Sequence, residues 1–334
     1  MPLSAGIYRV PVNRERDDMT HIRDRKIFII TCQSDQTADY ITNQLPGRAS
    51  VFRLNTDVFG DYKFRIGGNP FWSIEDSDGN QIDNLNIHAI YYRKPLLPQL
   101  SDYEPKYRSF MQREIVACIE GVADSFPGIC LSKPSILRKA DNKIYQLNTA
   151  KNLGFTIPNS LITNDNNAAQ AFCETKPCIV KPISIGKIYD KDDTIVFQTN
   201  QVDNNRPIEH VEYCPSYFQE QHDKDYELRV TIIGKKVFPV RIDSQLHKET
   251  RIDWRVNPNV LIYSETEMPK DLEEKCFELL TSLGLSFGAF DFIVRKNQYI
   301  FLEVNANGQW GWLEGKLGIN ISDAIIDYLV GDNQ

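Results

Sequence analysis

The feature that most constrains this chain lies near its carboxyl end, where two apolar runs flank a short polar turn. The runs, Ala289 to Val294 and Tyr299 to Val304, are rich in aromatic and β-branched residues. Such runs on either side of a short turn predict a β-hairpin. If the turn is centred on Asn297, Asp291 and Glu303 each lie six residues from it. We therefore expect the two carboxylates to face each other across the hairpin.

Opposed carboxylates in a sheet predict a bound cation. Side chains that face each other across a ladder have Cβ atoms about 5 Å apart, so Asp291 and Glu303 would repel unless a cation lies between them. Asn305 lies two residues beyond Glu303 and shares its face of the strand. Two carboxylates and an amide oxygen suit Mg²⁺, which commonly keeps waters and substrate phosphates as its other ligands. The alternative, that both carboxylates are solvated on an exposed face, is opposed by their aromatic and apolar neighbours.

Length and charge set the broad class of the protein. The chain has 334 residues, enough for two or three domains, and its net charge of -7 comes without any run of like charges. This argues against a surface that coats nucleic acid. No apolar run approaches the roughly 18 residues that span a membrane, and the seven cysteines form no CxxC pair. We therefore expect a cytoplasmic protein with reduced thiols that binds neither nucleic acid nor membrane.

The pattern of hydrophobic residues divides the chain into four segments. Residues 1–24 show no clear period and are expected to form a loose N-terminal leader. Residues 25–135 alternate between strand and helix patterns, as in a small α/β domain. Residues 136–215 contain a predicted helix and two predicted strands. Residues 216–334 contain two predicted antiparallel hairpins, an amphipathic helix and a C-terminal helix.

Three local interpretations concern turns and boundaries. A helix from Asp35 to Leu45 is expected to begin at Ser34, since serine favours helix N-caps. The stretch from Leu131 to Ser135 has the polar, proline-containing character of a linker. Gly234 and Lys235 are expected to form the turn of a long antiparallel hairpin.

Two lysines are candidates for phosphate binding. Lys181 ends a predicted buried strand, and a small turn with Ser184 and Gly186 follows it. Lys143 stands at the start of a predicted helix. A lysine at such a place can neutralise a phosphate oxygen, although a strand-end lysine usually points to solvent. Neither a GxxxxGK[ST] loop nor a GxGxxG fingerprint occurs, so a P-loop or a classical dinucleotide enzyme is not supported.

An ordered set of short motifs runs through the chain. The motifs are Tyr92-Arg93-Lys94-Pro95, Asn142-Lys143, Gln146-Leu147, Leu153-Gly154-Phe155, Ile157-Pro158, Leu161-Ile162-Thr163-Asn164, Val180-Lys181-Pro182, Phe218-Gln219-Glu220, Tyr226-Glu227-Leu228-Arg229-Val230, Asp253-Trp254-Arg255, Phe290-Asp291-Phe292, Leu302-Glu303-Val304-Asn305, Gly308-Gln309-Trp310 and Trp312-Leu313-Glu314. Taken in this order, the set resembles the ATP-grasp ligase superfamily. More specifically, it resembles peptide maturases of the microviridin or graspetide type, which form side-chain ester and amide crosslinks in ribosomally made peptides. The likeness covers about residues 135–330 well and the N-terminal domain in outline.

The resemblance implies an α/β (α+β) fold with a three-domain ATP-grasp architecture. An N-terminal Rossmann-like pre-ATP-grasp domain would occupy residues 25–135, a central lid domain residues 136–215 and a C-terminal domain residues 216–334. ATP and Mg²⁺ are the implied cofactors. The implied partner is a precursor peptide with a leader segment, and members of the family are often homodimers. The long hairpin around Gly234 is a candidate for contact with the peptide.

The resemblance also implies roles for individual residues. Lys143 and Lys181 would contact the ATP phosphates, together with the turn that holds Ser184 and Gly186. The other implied residues are Gln219, Glu220 and Gln221 as the hinge whose backbone reads adenine, Asp291, Glu303 and Asn305 as magnesium ligands, Glu227 as a further nucleotide-side residue, and Arg229 and Arg255 as the reactive-phosphate and acceptor-side arginines. From the residues alone, either arginine could instead form a surface ion pair, and Glu227 is a plausible partner for Arg229.

The chemistry implied by the resemblance is carboxylate activation. A side-chain Asp or Glu of the peptide would attack the γ-phosphate of ATP, and a Ser/Thr hydroxyl or Lys amine of the same peptide would then displace phosphate. Arg255 could orient the incoming carboxylate through two hydrogen bonds. Asp253 could help to accept the proton of the nucleophile.

Two other functions remain open at the level of the sequence. An intermolecular ligase would use the same activation chemistry to add amino acids to a protein or peptide. A nucleotide-binding adaptor without turnover is a third interpretation, which the complete set of Asp291, Glu303, Asn305 and both arginines argues against.

Overall fold

A computed structural model describes residues 25–331, with the exception of residues 185, 191, 192, 198 and 204. The predicted N-terminal leader at residues 1–24 therefore lies outside the described residues. Helices and strands are mixed along the described chain, as predicted. None of the helices in this part of the chain is long and apolar enough to cross a membrane.

The helices and strands have the following bounds in chain order. The helices are α1 (Gln36–Gln44), α2 (Pro105–Ser125), α3 (Pro134–Ala140), α4 (Lys143–Asn152), α5 (Asn166–Glu174), α6 (Lys270–Leu283), α7 (Gly311–Leu317) and α8 (Ile321–Val330). The strands are β1 (Lys26–Thr31), β2 (Ser50–Asn55), β3 (Lys63–Ile66), β4 (Trp72–Glu75), β5 (Gln81–Asp83), β6 (Ala89–Tyr92), β7 (Ile129–Leu131), β8 (Ser160–Thr163), β9 (Cys178–Lys181), β10 (Lys187–Asp190), β11 (Asp193–Val196), β12 (Asn200–Gln201), β13 (Ser216–Glu220), β14 (Tyr226–Ile233), β15 (Lys236–Ile242), β16 (Tyr263–Glu265), β17 (Phe287–Arg295) and β18 (Gln298–Asn305).

The chain divides into two compact units at the bond between Cys130 and Leu131. The first unit ends at Cys130 and also takes in the segment that begins at Leu329. The second unit runs from Leu131 to Tyr328 and carries the predicted central and C-terminal domains. The finer division of the chain into three domains stays a prediction.

The first unit is built on a sheet with the strand order β2-β1-β6-β7. Strand β1 pairs in parallel with β2 and with β6, and its residues 27–30 are fully buried. A run of isoleucine and phenylalanine without alternation suits a strand covered on both faces. The predicted hairpin of β3 and β4 is confirmed, and β5 extends it to a three-stranded antiparallel sheet.

Two of the predicted boundaries are wrong in detail. Helix α1 is capped by Asp35, whose side chain accepts hydrogen bonds from the Thr37 and Ala38 amides, so Ser34 is not the cap. Carboxylates are as effective at this position as hydroxyls, and the sequence contains both types next to each other. Of the stretch that was expected to be a linker, Leu131 ends β7 and Pro134 begins α3, where a missing amide proton in the first turn costs nothing.

A buried ion pair joins the ends of β1 and β6. Arg93 Nε lies 2.7 Å from Asp35 Oδ2, and both side chains are almost inaccessible to solvent. Thr31 Oγ1 donates to the same carboxylate oxygen at 2.7 Å. Removing one charge from such a pair leaves the other buried without compensation.

Asp35→Asn is therefore expected to destabilise the first unit by about 3 kcal/mol. Asparagine is an equally good helix N-cap, so the loss reports on the ion pair with Arg93. The measurement is the free energy of opening of the β1 amides, obtained from hydrogen exchange. Asp39→Asn is the matched control, because Asp39 pairs with Arg53 on the surface and should contribute under about 1 kcal/mol. Equal losses in the two variants would contradict the prediction.

The second unit contains two larger sheets that position the site. The first has the order β12-β9-β13-β8, and the second has the order β16-β15-β14-β17-β18. The core beneath the second sheet includes Phe155, Phe290, Phe292 and Phe301, whose neighbouring ring centroids lie 5.1 to 6.3 Å apart. The predicted hairpin around Gly234 is confirmed as β14 and β15, with Gly234 at a positive φ of 55°.

Candidate functional site

A cleft lies within the second unit and gathers most of the predicted site residues. Strands β9 and β13, the hairpin of β17 and β18, and the segment 251–255 contribute to its walls. The predicted residues that line it are Lys143, Lys181, Ser184, Gly186, Gln219, Glu220, Gln221, Glu227, Asp253, Arg255, Asp291 and Glu303. Arg229 and Asn305 are not among the lining residues.

The predicted pairing of Asp291 with Glu303 is confirmed, but it arises in a different way. The turn consists of Lys296 and Asn297, both at positive φ, and Arg295 pairs with Gln298. This two-residue turn alone would place Asp291 opposite Leu302. A β-bulge between Asp291 and Phe292 shifts the register by one residue, because two residues on β18 then oppose one on β17. The predicted centre of the turn was half a residue too late, and the bulge restores the expected pair.

Each carboxylate of this pair contacts a different cation. Arg229 Nη1 lies 2.7 Å from Asp291 Oδ2, and Lys143 Nζ lies 2.6 Å from Glu303 Oε2. Burial raises the pKa of Asp291, and the nearby charge of Glu303 adds to the rise, while Arg229 opposes it. Burial also opposes ionisation of Glu303, but the charges of Lys143, Lys181 and Arg255 outweigh it and lower its pKa to about 2. Glu303 is thus the carboxylate whose charge the cleft stabilises.

Glu227 is not the partner of Arg229, contrary to the interpretation from the sequence. Lys224 Nζ lies 2.5 Å from Glu227 Oε1, and both side chains are buried. Arg229 pairs with Asp291 because these two residues are directly opposite each other on β14 and β17. Burial raises the pKa of Glu227, against the opposing charge of Lys224. Lys224, which also donates to the Ile252 carbonyl oxygen at 3.1 Å, is a cleft residue that reasoning from the sequence missed.

Lys181 reaches the cleft from the end of β9. Its Nζ lies 3.1 Å from Gln219 Oε1 and 4.7 Å from the centroid of the Tyr217 ring. Burial lowers the pKa of Lys181 to about 8, since the attraction of Glu303 is countered by the charges of Lys143 and Arg255. The lysine is therefore partly buried among charged groups and does not point freely to solvent.

The backbone amides of Glu220 and Gln221 in the predicted hinge already donate hydrogen bonds within the protein. The Glu220 amide donates to the Asn159 carbonyl oxygen at 2.9 Å, and the Gln221 amide donates to the Pro177 carbonyl oxygen at 2.8 Å. Recognition of adenine by this backbone stays a prediction. Because the two amides are engaged, the backbone carbonyl oxygens would accept hydrogen bonds from adenine unless the bonds of the amides break. The next residue, His222, also lines the cleft and was missed by the sequence analysis.

Asp253 and Arg255 form a two-pronged ion pair beside the cleft. Arg255 Nε and Nη2 each donate to a different oxygen of Asp253 at 2.8 Å, and Nη1 lies 3.9 Å from Glu303 Oε1. Burial opposes ionisation of Asp253, but its hydrogen bonds with Arg255 are stronger and lower its pKa. A carboxylate with both oxygens engaged in this way is a weak proton acceptor. These contacts favour a role for Asp253 in orienting Arg255, and its role as a base stays a prediction.

The turn after β9 is held close to Phe197, the residue that follows β11. A Cβ atom at Gly186 would lie 2.5 Å from the Phe197 carbonyl oxygen and 2.7 Å from Pro182 Cγ, so the approach requires glycine. The Phe197 amide donates to the Gly186 carbonyl oxygen at 2.7 Å. Ser184 is exposed beside this contact and can reach a ligand in the cleft.

The carboxylate oxygens of the cleft fit a magnesium ion that takes its remaining ligands from a substrate and from water. Asp291 and Glu303 face the cleft as a pair of carboxylates, and no group of three or more acidic, histidine or cysteine side chains occurs among the described residues that could hold a metal alone. Mg²⁺ commonly binds in this way, through one or two carboxylates with substrate phosphates and waters. The side-chain oxygen of Asn305 accepts from the Asn307 amide at 3.1 Å, so its role as a ligand stays a prediction.

Comparisons with known proteins agree with this geometry. The family described as the RimK-like ATP-grasp domain matches residues 140–329. A RiPP-associated ATP-grasp ligase from Chryseobacterium gregarium, solved with ADP and a leader and core peptide, is 29% identical, with a TM-score of 0.84 over 93% of this chain and 98% of that chain. A search of curated proteins returned no match.

Two macrocyclases from Microcystis aeruginosa MRC are similar as well. MdnC, solved with the precursor peptide MdnA, is 30% identical, with a TM-score of 0.82 over 92% of this chain and 100% of that chain. MdnB is 28% identical, with a TM-score of 0.77 over 92% of this chain and 99% of that chain. The resemblance read from the motifs is confirmed, and the chain belongs to the RimK-like ATP-grasp family of ligases.

Proposed function

We propose that this protein is an ATP-dependent peptide maturase. It would activate Asp or Glu side chains of a ribosomally made precursor peptide and close them onto Ser/Thr hydroxyls or Lys amines. The observation that carries the proposal is the cleft in which Lys143, Lys181 and Arg255 surround the ionised Glu303. The likeness to the Chryseobacterium ligase and to MdnC over nearly their whole length supports a peptide substrate.

The proposed reaction has two steps. An oxygen of the peptide carboxylate forms a bond to the γ-phosphorus of ATP, and the bond from that phosphorus to the β-phosphate oxygen breaks, which releases ADP. The hydroxyl oxygen or amine nitrogen of the peptide then bonds to the acyl carbon, and inorganic phosphate leaves with the electron pair. The proton of the nucleophile passes to a base or to water.

The residues of the cleft would supply positioning and charge. Lys143 and Lys181 would contact phosphate oxygens, and Lys143 would then share or give up its contact with Glu303. Asp291 and Glu303 would hold Mg²⁺, which offsets the charge of the phosphates when it is bound. Arg229 would keep Asp291 ionised in its buried place. Arg255 would present Nη1 to the carboxylate of the peptide, since Asp253 occupies its other edge.

We expect the pH dependence of ATP use to report on Lys181. With a pKa of about 8, this lysine is charged below that pH and loses its proton above it. The value of kcat/KM for ATP, which reports on the free enzyme, should therefore fall above about pH 8. In Lys181→Arg the charge persists, because arginine is not deprotonated in this range. The kcat/KM for ATP that this variant keeps should therefore stay constant as the pH rises through about 8. A fall as large as that of the wild type would show that Lys181 is not the group that titrates.

Intact-mass spectrometry tests the proposed function directly. A candidate precursor peptide, sought among the reading frames beside the gene, is incubated with the protein, ATP and Mg²⁺, and its mass is followed together with ADP release. The expected result is the loss of one water for each crosslink, in step with ADP. A gain of one residue mass would instead identify an intermolecular ligase. No ADP release in the presence of peptide would contradict both.

The proposal extends to the assembly and location of the protein. A leader-bearing precursor peptide is the proposed partner, and a homodimer and a cytoplasmic location stay predictions. Sedimentation at several protein concentrations, with and without the peptide, would decide the oligomeric state.

A further inference from the structure

Lys181 belongs to a chain of side chains that spans three strands. It pairs in register with Tyr217 on β13, and Gln219 follows Tyr217 by two residues on the same face. The ammonium group therefore lies over the Tyr217 ring, at 4.7 Å, and beside the Gln219 side chain, at 3.1 Å. Ser160, on the neighbouring strand β8, pairs with Gln219 in the same sheet.

Two hydroxyl groups accept hydrogen bonds from the nitrogen end of the Gln219 amide. Gln219 Nε2 donates to Tyr217 Oη at 2.8 Å and to Ser160 Oγ at 3.2 Å. An amide nitrogen has two protons to donate, and these two contacts use both. The carbonyl oxygen is turned toward Lys181, because the reversed amide would place a donor against the ammonium group, which has no acceptor. Gln219 and Tyr217 are both fully buried, so water does not compete for these bonds.

A neutral acceptor is well suited to a lysine that must bind phosphate. The charged groups that act on Lys181 are Glu303, Lys143, Arg255 and Asp291. A glutamate in place of Gln219 would pair with the ammonium group and cancel the charge that a phosphate needs. Glutamine accepts a hydrogen bond and leaves the full positive charge. It also restricts a flexible side chain before the ligand arrives, which reduces the entropic cost of binding.

We propose that Gln219 is a positioning residue, oriented by Tyr217 and Ser160, which holds Lys181 Nζ toward the nucleotide phosphates in the cleft. This role differs from the one predicted from the sequence, where Gln219 was part of a backbone hinge. The inference rests on the proposed function, because it assumes that a nucleotide occupies the cleft.

The test is nucleotide binding, measured by calorimetry with a non-hydrolysable ATP analogue and Mg²⁺. Gln219→Met keeps the length of the side chain and removes both the acceptor and the donors, so we expect the analogue to bind about tenfold more weakly. Gln219→Glu should also weaken binding, through competition for the lysine. Tyr217→Phe keeps the ring and removes one hydroxyl, and a loss of about threefold is expected. Gln201→Met, at an exposed position of the same sheet, is the matched control.

Adenosine serves as a second ligand that separates positioning from general damage. It has no phosphate, so competition by adenosine should be unchanged in Gln219→Met if the residue acts through Lys181. Equal weakening of adenosine and the analogue would overturn the inference, as would wild-type affinity for the analogue in both Gln219 variants. Failure of the wild-type protein to bind the analogue at all would instead overturn the proposed function.

Discussion

Glu303→Gln is expected to lower peptide-dependent ADP release by about a thousandfold while the protein stays folded. Glutamine keeps the shape of the side chain and one acceptor oxygen, but it removes the charge that Lys143, Lys181 and Arg255 surround. It would also remove one of the two carboxylates that can hold Mg²⁺. The measurement is the rate of ADP release with saturating peptide, accompanied by circular dichroism to confirm the fold.

A second variant on the same sheet gives the control for this loss. Glu265→Gln changes an exposed glutamate on β16, and its activity should match that of the wild type.

The stability of Glu303→Gln should differ from that of the wild type mainly near neutral pH. The lowered pKa of Glu303 stabilises the fold above the usual pKa of a glutamate, and this contribution is lost as the pH falls toward about 2. Wild-type turnover in Glu303→Gln would remove the residue from the proposed magnesium site.

The sequence was most informative where one strong local pattern decides the structure. The two apolar runs around Asn297 predict the hairpin and the pairing of Asp291 with Glu303, because strand residues alternate and one face must be buried. The bulge that produces this pairing could not be predicted, since no local pattern marks Leu302 as the extra residue of the ladder. The misplaced turn centre and the unpredicted bulge each change the register by one residue, and the two errors cancelled.

The ion pairs and hydrogen bonds of the site were less accessible to prediction. Lys143 and Glu303 are 160 residues apart in the chain, and Ser160 and Gln219 are 59 apart. Their contacts arise from strand pairing and helix placement that no local pattern encodes. The order of the motifs did indicate which residues meet in the cleft. The partners of each residue, such as Lys224 for Glu227, required the structure.

The second large effect concerns the pair formed by Asp253 and Arg255. Arg255→Lys should lower kcat/KM for the peptide about a hundredfold, because lysine cannot reproduce the planar fork that contacts Asp253 and a substrate carboxylate together. Asp253→Asn should lower it about tenfold, mainly through KM, since the guanidinium loses its orientation but remains in place. Arg241→Lys is the matched control, because Arg241 also pairs with an aspartate two residues away, Asp243, but lies outside the cleft lining.

The double variant distinguishes orientation from proton transfer. If Asp253 acts only through Arg255, then adding Asp253→Asn to Arg255→Lys should cause no further loss, because the group to be oriented is already gone. If Asp253 instead accepts the proton of the nucleophile, the two losses should multiply, and Asp253→Asn alone should lower kcat more than it raises KM. The lowered pKa of Asp253 and the engagement of both of its oxygens favour the first result. Multiplied losses would therefore refute the orienting role and return Asp253 to the chemistry predicted from the sequence.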